Sequence, residues 1–204
     1  MSDTPRIAPP RRGPYANTAR RKAEIVAAAA SVFMRSGYRG GSLREIARDL
    51  ELSFTSVKHH FPTKEHLLIA VLEEYDSLET EQLNRDIALL GVVDAAIALA
   101  VRNLDKPETE RLLAVMSAEA SSSDHPAHEW FVRRYENIRN SMAAGIRTAS
   151  EAEAIPFVAD ADFVASAFVA LWDGLQLQWL IDPRFDMIDR LRRGFEAILR
   201  EGSR

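Results

Sequence analysis

Between Ser42 and Leu72 the sequence SLREIARDLELSFTSVKHHFPTKEHLLIAVL accommodates two short helices around a tight turn, then an aromatic–proline stop and a third helix. Leu43, Ile46, Ala47 and Leu50 fall at i, i+3, i+4 and i+7, so they form one apolar stripe on a helix that Ser42 can cap. Glu45, three residues after that cap, supplies the acidic half of a capping box. After a turn at Glu51, Ser53 can cap a second helix that turns Val57 and Phe61 inward. Phe54, Thr55, Ser56, Lys58 and His59 are then left outward. Such a short helix, rich in hydroxyls, a cation and imidazoles, suits base edges and phosphates. Ala47 is small where two helices joined by a short turn must approach closely, and Pro62 stops the run at His60-Phe61.

The charge distribution agrees with that placement. Net charge is −4, yet residues 1–66 carry 12 Lys and Arg against 6 Asp and Glu, and residues 67–204 carry 14 against 24. The basic half therefore coincides with the helical hairpin, where a polyanion would need it, and the acidic remainder limits indiscriminate binding. The first 15 residues contribute Arg6, Arg11 and Arg12 among four prolines and little apolar content. They read as a flexible basic arm, able to reach a phosphate or a minor groove.

With 47% hydrophobic residues in 204 the chain can bury a real core. It has no signal-like start and no uninterrupted apolar run of roughly 18 residues, so neither secretion nor a membrane span is expected. The absence of cysteine excludes disulfides and thiolate metal sites and fits a cytoplasmic location.

The expected fold is all-α. A first helix starts near Asn17 and buries Ile25, Ala28, Ala29, Val32 and Phe33, and Gly37 offers it a left-handed C-cap. Helical periodicity recurs over 64–87, 92–105, 107–122, 126–152, 158–181 and 185–200, with breaks at Gly91, Lys106-Pro107, Ser121 to Pro126, Ile155-Pro156 and Asp182-Pro183. No strand-like alternation persists.

The run ARRKAEIVAAAASVFMRSGYRGGSLREIARDLELSFTSVKHHFPTKEHLLIAVL resembles the N-terminal domain of TetR-family transcriptional regulators. The resemblance rests on the basic helix start, Ile-x-x-Ala-Ala-x-x-x-Phe, Gly-Tyr, Ser-x-x-x-Ile-Ala, the short second helix and His-Phe-Pro-x-Lys-Glu-x-Leu-Leu. It implies a homodimer with a helix-turn-helix domain over 16–66, behind the arm of 1–15, and a helical effector-binding and dimerisation domain over 67–204. Position by position, it implies that Ser42 and Arg44 meet the DNA backbone, that Ser53 to His59 face the major groove of a double-stranded operator, and that Lys64 holds a phosphate. Thr63 would cap the helix starting near Lys64, which in the family transmits changes between domains.

Three departures from the family pattern stand out. Glu51 occupies a turn position where the family has a glycine, so either the turn avoids a left-handed residue or Glu51 is strained there. Lys58 stands where a phosphate-contacting tyrosine is common, and Phe54 where a small or polar residue is frequent.

The resemblance further implies a dimer made by the last two long helices. Gly174, Leu171, Leu175 and Gln178 offer one surface, and Ile188, Leu191, Phe195, Ile198 and Leu199 the other. For a small-molecule effector the large apolar residues Met116, Phe131, Tyr135, Phe168 and Trp172 are candidates, with Glu119, Arg133 and Gln176 to orient it. No metal site is expected. His59, His60 and His66 diverge around their helices, and His125 and His128 read as solvated. No cofactor is expected either, because P-loop, Gly-x-Gly-x-x-Gly, Gly-x-Ser-x-Gly and cysteine-nucleophile signatures are all missing, which also argues against an enzyme. The reading is therefore a ligand-responsive DNA-binding regulator, most plainly a repressor. The alternative is a helical small-molecule-binding protein that has lost DNA binding, with Glu51 and Lys58 as its support.

Overall fold

A computed structural model describes residues 14–202, and the basic arm expected over the first 15 residues lies almost wholly outside them. Among the described residues the chain is all-α. The elements are α1 (Pro14–Gly40), α2 (Leu43–Asp49), α3 (Phe54–His60), α4 (Lys64–Leu90), α5 (Val92–Leu104), α6 (Pro107–Glu119), α7 (His128–Glu151), α8 (Ala161–Ile181) and α9 (Met187–Glu201).

Local chemistry sets most of these boundaries. The side chains of Ser42, Ser53, Thr63, Asp160 and Asp186 each accept the backbone N–H three residues on, which satisfies one of the orphan donors at their helix starts. Pro107 begins α6 where its missing N–H costs nothing. Gly91, at φ 79°, separates α4 from α5 at the expected break. Glu51 resolves its alternative in favour of strain, with φ at 54° in the turn between α2 and α3.

Two hydrophobic cores follow one another along the molecule. The first gathers Ile25, Ala29, Val32 and Phe33 of α1, Ile46 and Ala47 of α2, Val57 of α3, and Leu67, Leu68, Val71 and Leu72 of α4. It extends to Leu112, Met116 and Ala120 around α6 and to Trp130 and Phe131 of α7, so the base of the helical hairpin is continuous with the larger bundle. The second packs α5, α7, α8 and α9 around Ile146, Val164, Phe168, Leu191 and Phe195, with the Phe168 and Phe195 rings stacked at 4.3 Å.

Leu191, Phe195 and Leu199 were expected at a dimer surface. They are instead buried in this second core, because the apolar stripe of α9 is used against α5 and α8 of its own chain. Gly194 makes that packing possible, since a Cβ there would lie 2.5 Å from Leu171 Cδ2. By length and composition alone α8 is apolar enough to cross a bilayer. Its Val164, Ala165, Phe168, Trp179 and Leu180 are nonetheless core residues of the bundle.

Where α1 meets the end of α6, Gly37 breaks α1 with φ 65° and ψ 177°. Glu119, at the end of α6, fits against this break. Its Oε2 accepts the Tyr38 N–H at 3.2 Å, and its Oε1 lies 2.7 Å from where a Cβ on Gly37 would be. Replacing either Gly37 or Gly91 by alanine is expected to cost about 1–3 kcal/mol in backbone strain. Gly37→Ala is expected to cost about 1 kcal/mol more, because Glu119 must also give up the Tyr38 amide. Urea denaturation midpoints of the two variants measure the difference.

Candidate nucleic-acid interface and ligand cavity

The α2–turn–α3 unit presents one continuous polar surface. Ser42, Arg44, Ser53, Phe54, Thr55, Lys58 and His59 are exposed and Ser56 is partly so, while Val57 behind them is wholly buried. The outward residues expected from the sequence are thus brought together on one side of a seven-residue helix. Phe54 is 39% exposed, and two cations lie over its ring, Arg44 at 5.4 Å and Lys58 at 5.8 Å from the centroid. The ring therefore gathers side chains from α2 and α3 into one cationic patch. Arg35 braces the back of α2 through Asp49 at 3.1 Å and Glu45 at 3.5 Å, so Glu45 is engaged by α1.

Lys64, expected at a phosphate, is engaged within its own chain. Its ammonium donates to the Gly41 carbonyl at 2.8 Å and sits 4.2 Å from the centre of the Tyr38 ring, and burial pulls its pKa below the ordinary lysine value. It pins the loop between α1 and α2 rather than standing free for a phosphate. Beside it Tyr38 Oη donates to Glu65 at 2.9 Å. Burial, then the Glu65 bond, raises the phenol's pKa. The Thr63 hydroxyl, then Glu65's own backbone amide and Tyr38, lower that of Glu65.

The histidines also settle differently. His125 is packed edge-on against Tyr38 at 4.9 Å with Nε2 3.7 Å from Glu119, and burial lowers its pKa despite that carboxylate. His128 Nδ1 lies 2.9 Å from the Ala120 carbonyl oxygen, so neither residue of the pair is the solvated side chain expected. His60 is half-buried at the end of α3, with its pKa lowered first by burial and then by His59, Lys22 and Arg21. His66 Nδ1 is 2.8 Å from Thr63 Oγ1.

A cavity of about 500 Å³ opens between α4, α5, α6, α7 and α8. Of the residues expected at an effector, Phe131, Tyr135, Phe168, Trp172 and Gln176 line it. Met116 does not. It is fully buried in the first core on the opposite side of α6, which carries apolar residues on two faces. Glu119 is held at Tyr38, and Arg134 rather than the exposed Arg133 reaches the cavity.

Periodicity alone did not single out the polar groups that the cavity contains. Asp76 accepts from Arg134 Nε at 2.7 Å, and Asp173 accepts from Tyr135 Oη at 2.8 Å. Buried Glu110 accepts from Gln176 Nε2 at 2.7 Å, while Gln176 Oε1 accepts from the Trp172 indole. Desolvation raises the Asp173 pKa, and the Tyr135 phenol is pushed up to about 12 by burial and by Asp173. A signal for them existed in Trp172-Asp173-x-x-Gln176, where acidic and amide side chains interrupt an otherwise apolar helix.

Comparison with known proteins bears on both sites. Residues 25–71, which span the hairpin and its supporting helices, match the family described as bacterial regulatory proteins, tetR family. The HTH-type transcriptional regulator PksA of Bacillus subtilis (strain 168) is 26% identical over 176 residues, 85% of each chain. A SmeT–triclosan complex shares the fold with a TM-score of 0.77 at 17% identity, over 88% of this chain and 90% of that one. NalD, the secondary repressor of the MexAB-OprM multidrug efflux pump in Pseudomonas aeruginosa, does so with a TM-score of 0.71 at 22% identity, over 91% and 96%.

If Lys64 chiefly anchors the α1–α2 loop, Lys64→Met should lower stability by about 1–2 kcal/mol in the absence of DNA. Urea denaturation checks it, since a residue reserved for phosphate would leave the midpoint unchanged.

Proposed function

We propose that the chain is a DNA-binding transcriptional regulator of the TetR family, a repressor released from a palindromic operator by a small molecule; the match of residues 25–71 to the tetR family and the 26% identity to PksA support this reading. The carrying observation is the exposed face of α3, with Arg44 and Lys58 gathered over Phe54 on a rigid, capped hairpin. In this reading Ser42, Arg44 and Lys58 take phosphates, while Phe54, Thr55 and His59 meet base edges, Phe54 through a thymine methyl. The site of action is the cytoplasm, where the DNA is.

Operator reading by a palindrome requires two copies. On α8 the residues Phe163, Ala170, Gly174, Leu177 and Ile181 recur along one exposed face, with Phe163 66% and Ile181 76% exposed and no atom within 4 Å of a Cβ placed on Gly174. That stripe is a surface for the same helix of a second copy, with Gly174 allowing close approach. Ile188 and Ile198 of α9 are partly buried against the second core and keep some exposed surface.

Signal transfer has two routes from the cavity. α4 carries Tyr75 and Asp76 in the cavity wall and begins at Lys64, on the Gly41 carbonyl. α6 runs from Glu110 in the wall to Glu119 on the Tyr38 amide. A ligand that displaced either helix would move the loop that sets α2 and α3, and so the separation of the two recognition helices. The complex of SmeT with triclosan and the repressor role of NalD support this reading.

Lys58→Ala is expected to weaken binding to all sequences and to reduce the slope of log affinity against log salt by about 1. Fluorescence anisotropy on DNA selected from random sequence measures both. Retained affinity with an unchanged slope would point to a binding protein that does not use DNA in this way. Ile181→Glu, on the α8 stripe, is expected to convert a dimer into a monomer in analytical ultracentrifugation, with operator affinity falling at least tenfold.

A further inference from the structure

The cavity wall brings together three carboxylates, Asp76, Glu110 and Asp173, against two guanidiniums, Arg111 and Arg134. Both guanidiniums have partners. Arg134 is held by Asp76 at 2.7 Å, and exposed Arg111 donates to the Leu180 carbonyl at 3.4 Å. Glu110 is fixed by the Gln176 amide, whose oxygen in turn takes the indole N–H of Trp172.

Asp173 is different. Among the described residues it forms no ion pair, and the Tyr135 hydroxyl is its hydrogen-bond donor, although a carboxylate has about four acceptor positions. It keeps accessible surface although the atoms around it desolvate it, which is the situation of a group on the wall of a hollow. Tyr135 and the charge of Arg134 offset part of that desolvation, but Arg134 is ion-paired with Asp76, so Asp173 has no cation of its own. Trp172, Tyr135, Tyr75 and Phe131 line the same space, and aromatic rings can attract cations.

We propose that the effector of this cavity is an organic cation, an amine or quaternary ammonium on an apolar body, whose charge lies against Asp173 beside Trp172 and Tyr135. This rests on the ligand-responsive reading above and names the chemistry of its ligand. The apolar body occupies the Phe168 and Phe195 end of the hollow, and the volume of about 500 Å³ admits a molecule of drug size. An anionic ligand would have to displace Asp76 from Arg134 or turn to Arg111 at the exposed rim, and would share the space with the remaining carboxylates.

The experiment uses one skeleton in three charge states, with 4-phenylbutylamine, 4-phenylbutanol and 4-phenylbutyrate titrated into the full-length protein without DNA by calorimetry. The amine is expected to bind at least tenfold more tightly than the alcohol, and the carboxylate more weakly than either. Asp173→Asn is expected to bring amine and alcohol within about twofold of each other while leaving alcohol binding intact, which shows that the variant cavity is still formed. Equal or tighter binding of the alcohol or carboxylate, no binding of the amine, or an amine preference that survives in Asp173→Asn overturns the assignment. Operator release by the amine is followed separately by anisotropy. Amine binding without release leaves the cation assignment standing and counts against the ligand-responsive reading.

Discussion

At Gly37 the backbone takes a conformation open to glycine alone without strain, and the Glu119 carboxylate fills the place a side chain would need. The pairing is mutual. Without the missing Cβ the carboxylate could not reach the Tyr38 amide, and without that carboxylate the amide exposed by the helix break would lack its partner. Around this point Tyr38 gathers Lys64 on its ring, Glu65 on its hydroxyl, His125 on its edge and Glu119 on its backbone amide, so that α1, α4, α6 and the connection before α7 meet at one residue. The position of α2 and α3 relative to the larger bundle depends on that junction. It is built from polar contacts, which unlike close-packed apolar surfaces can be exchanged one at a time.

The hairpin was legible in the sequence because its determinants are local. Ser42, Ser53 and Thr63 cap within three residues, Pro62 acts on its neighbours, and the alternation of buried Val57 with exposed Lys58 and His59 follows from helical period. The family resemblance rests on the same stretch. Glu51 could be narrowed to two alternatives and no further, because a positive φ depends on how the flanking helices close and not on the residue itself.

The bundle was legible as helices but not as faces. In α6 both Met116 and Ala114 belong to apolar stripes, and only the packed arrangement decides that Met116 enters the first core while Ala114 borders the cavity. α9 posed the same problem, since a strongly amphipathic helix reads identically whether its stripe meets its own chain or a second copy. Leu191, Phe195 and Leu199 are consumed internally, and the unpartnered stripe is on α8, a helix whose apolar residues run nearly all the way round. Asp173 escaped notice for a related reason. A single acid in an apolar helix carries no mark of whether it faces bulk water or a hollow.

Phe54, finally, does more than contribute apolar surface. A free arginine or lysine side chain samples many rotamers, and confining it to one contact costs up to about 2 kcal/mol of entropy. Arg44 and Lys58 are already drawn over the same ring in the unbound protein. Part of their disorder is thus removed when the chain folds rather than when a nucleic acid arrives, and the patch meets its target as a partly rigid stamp of charge.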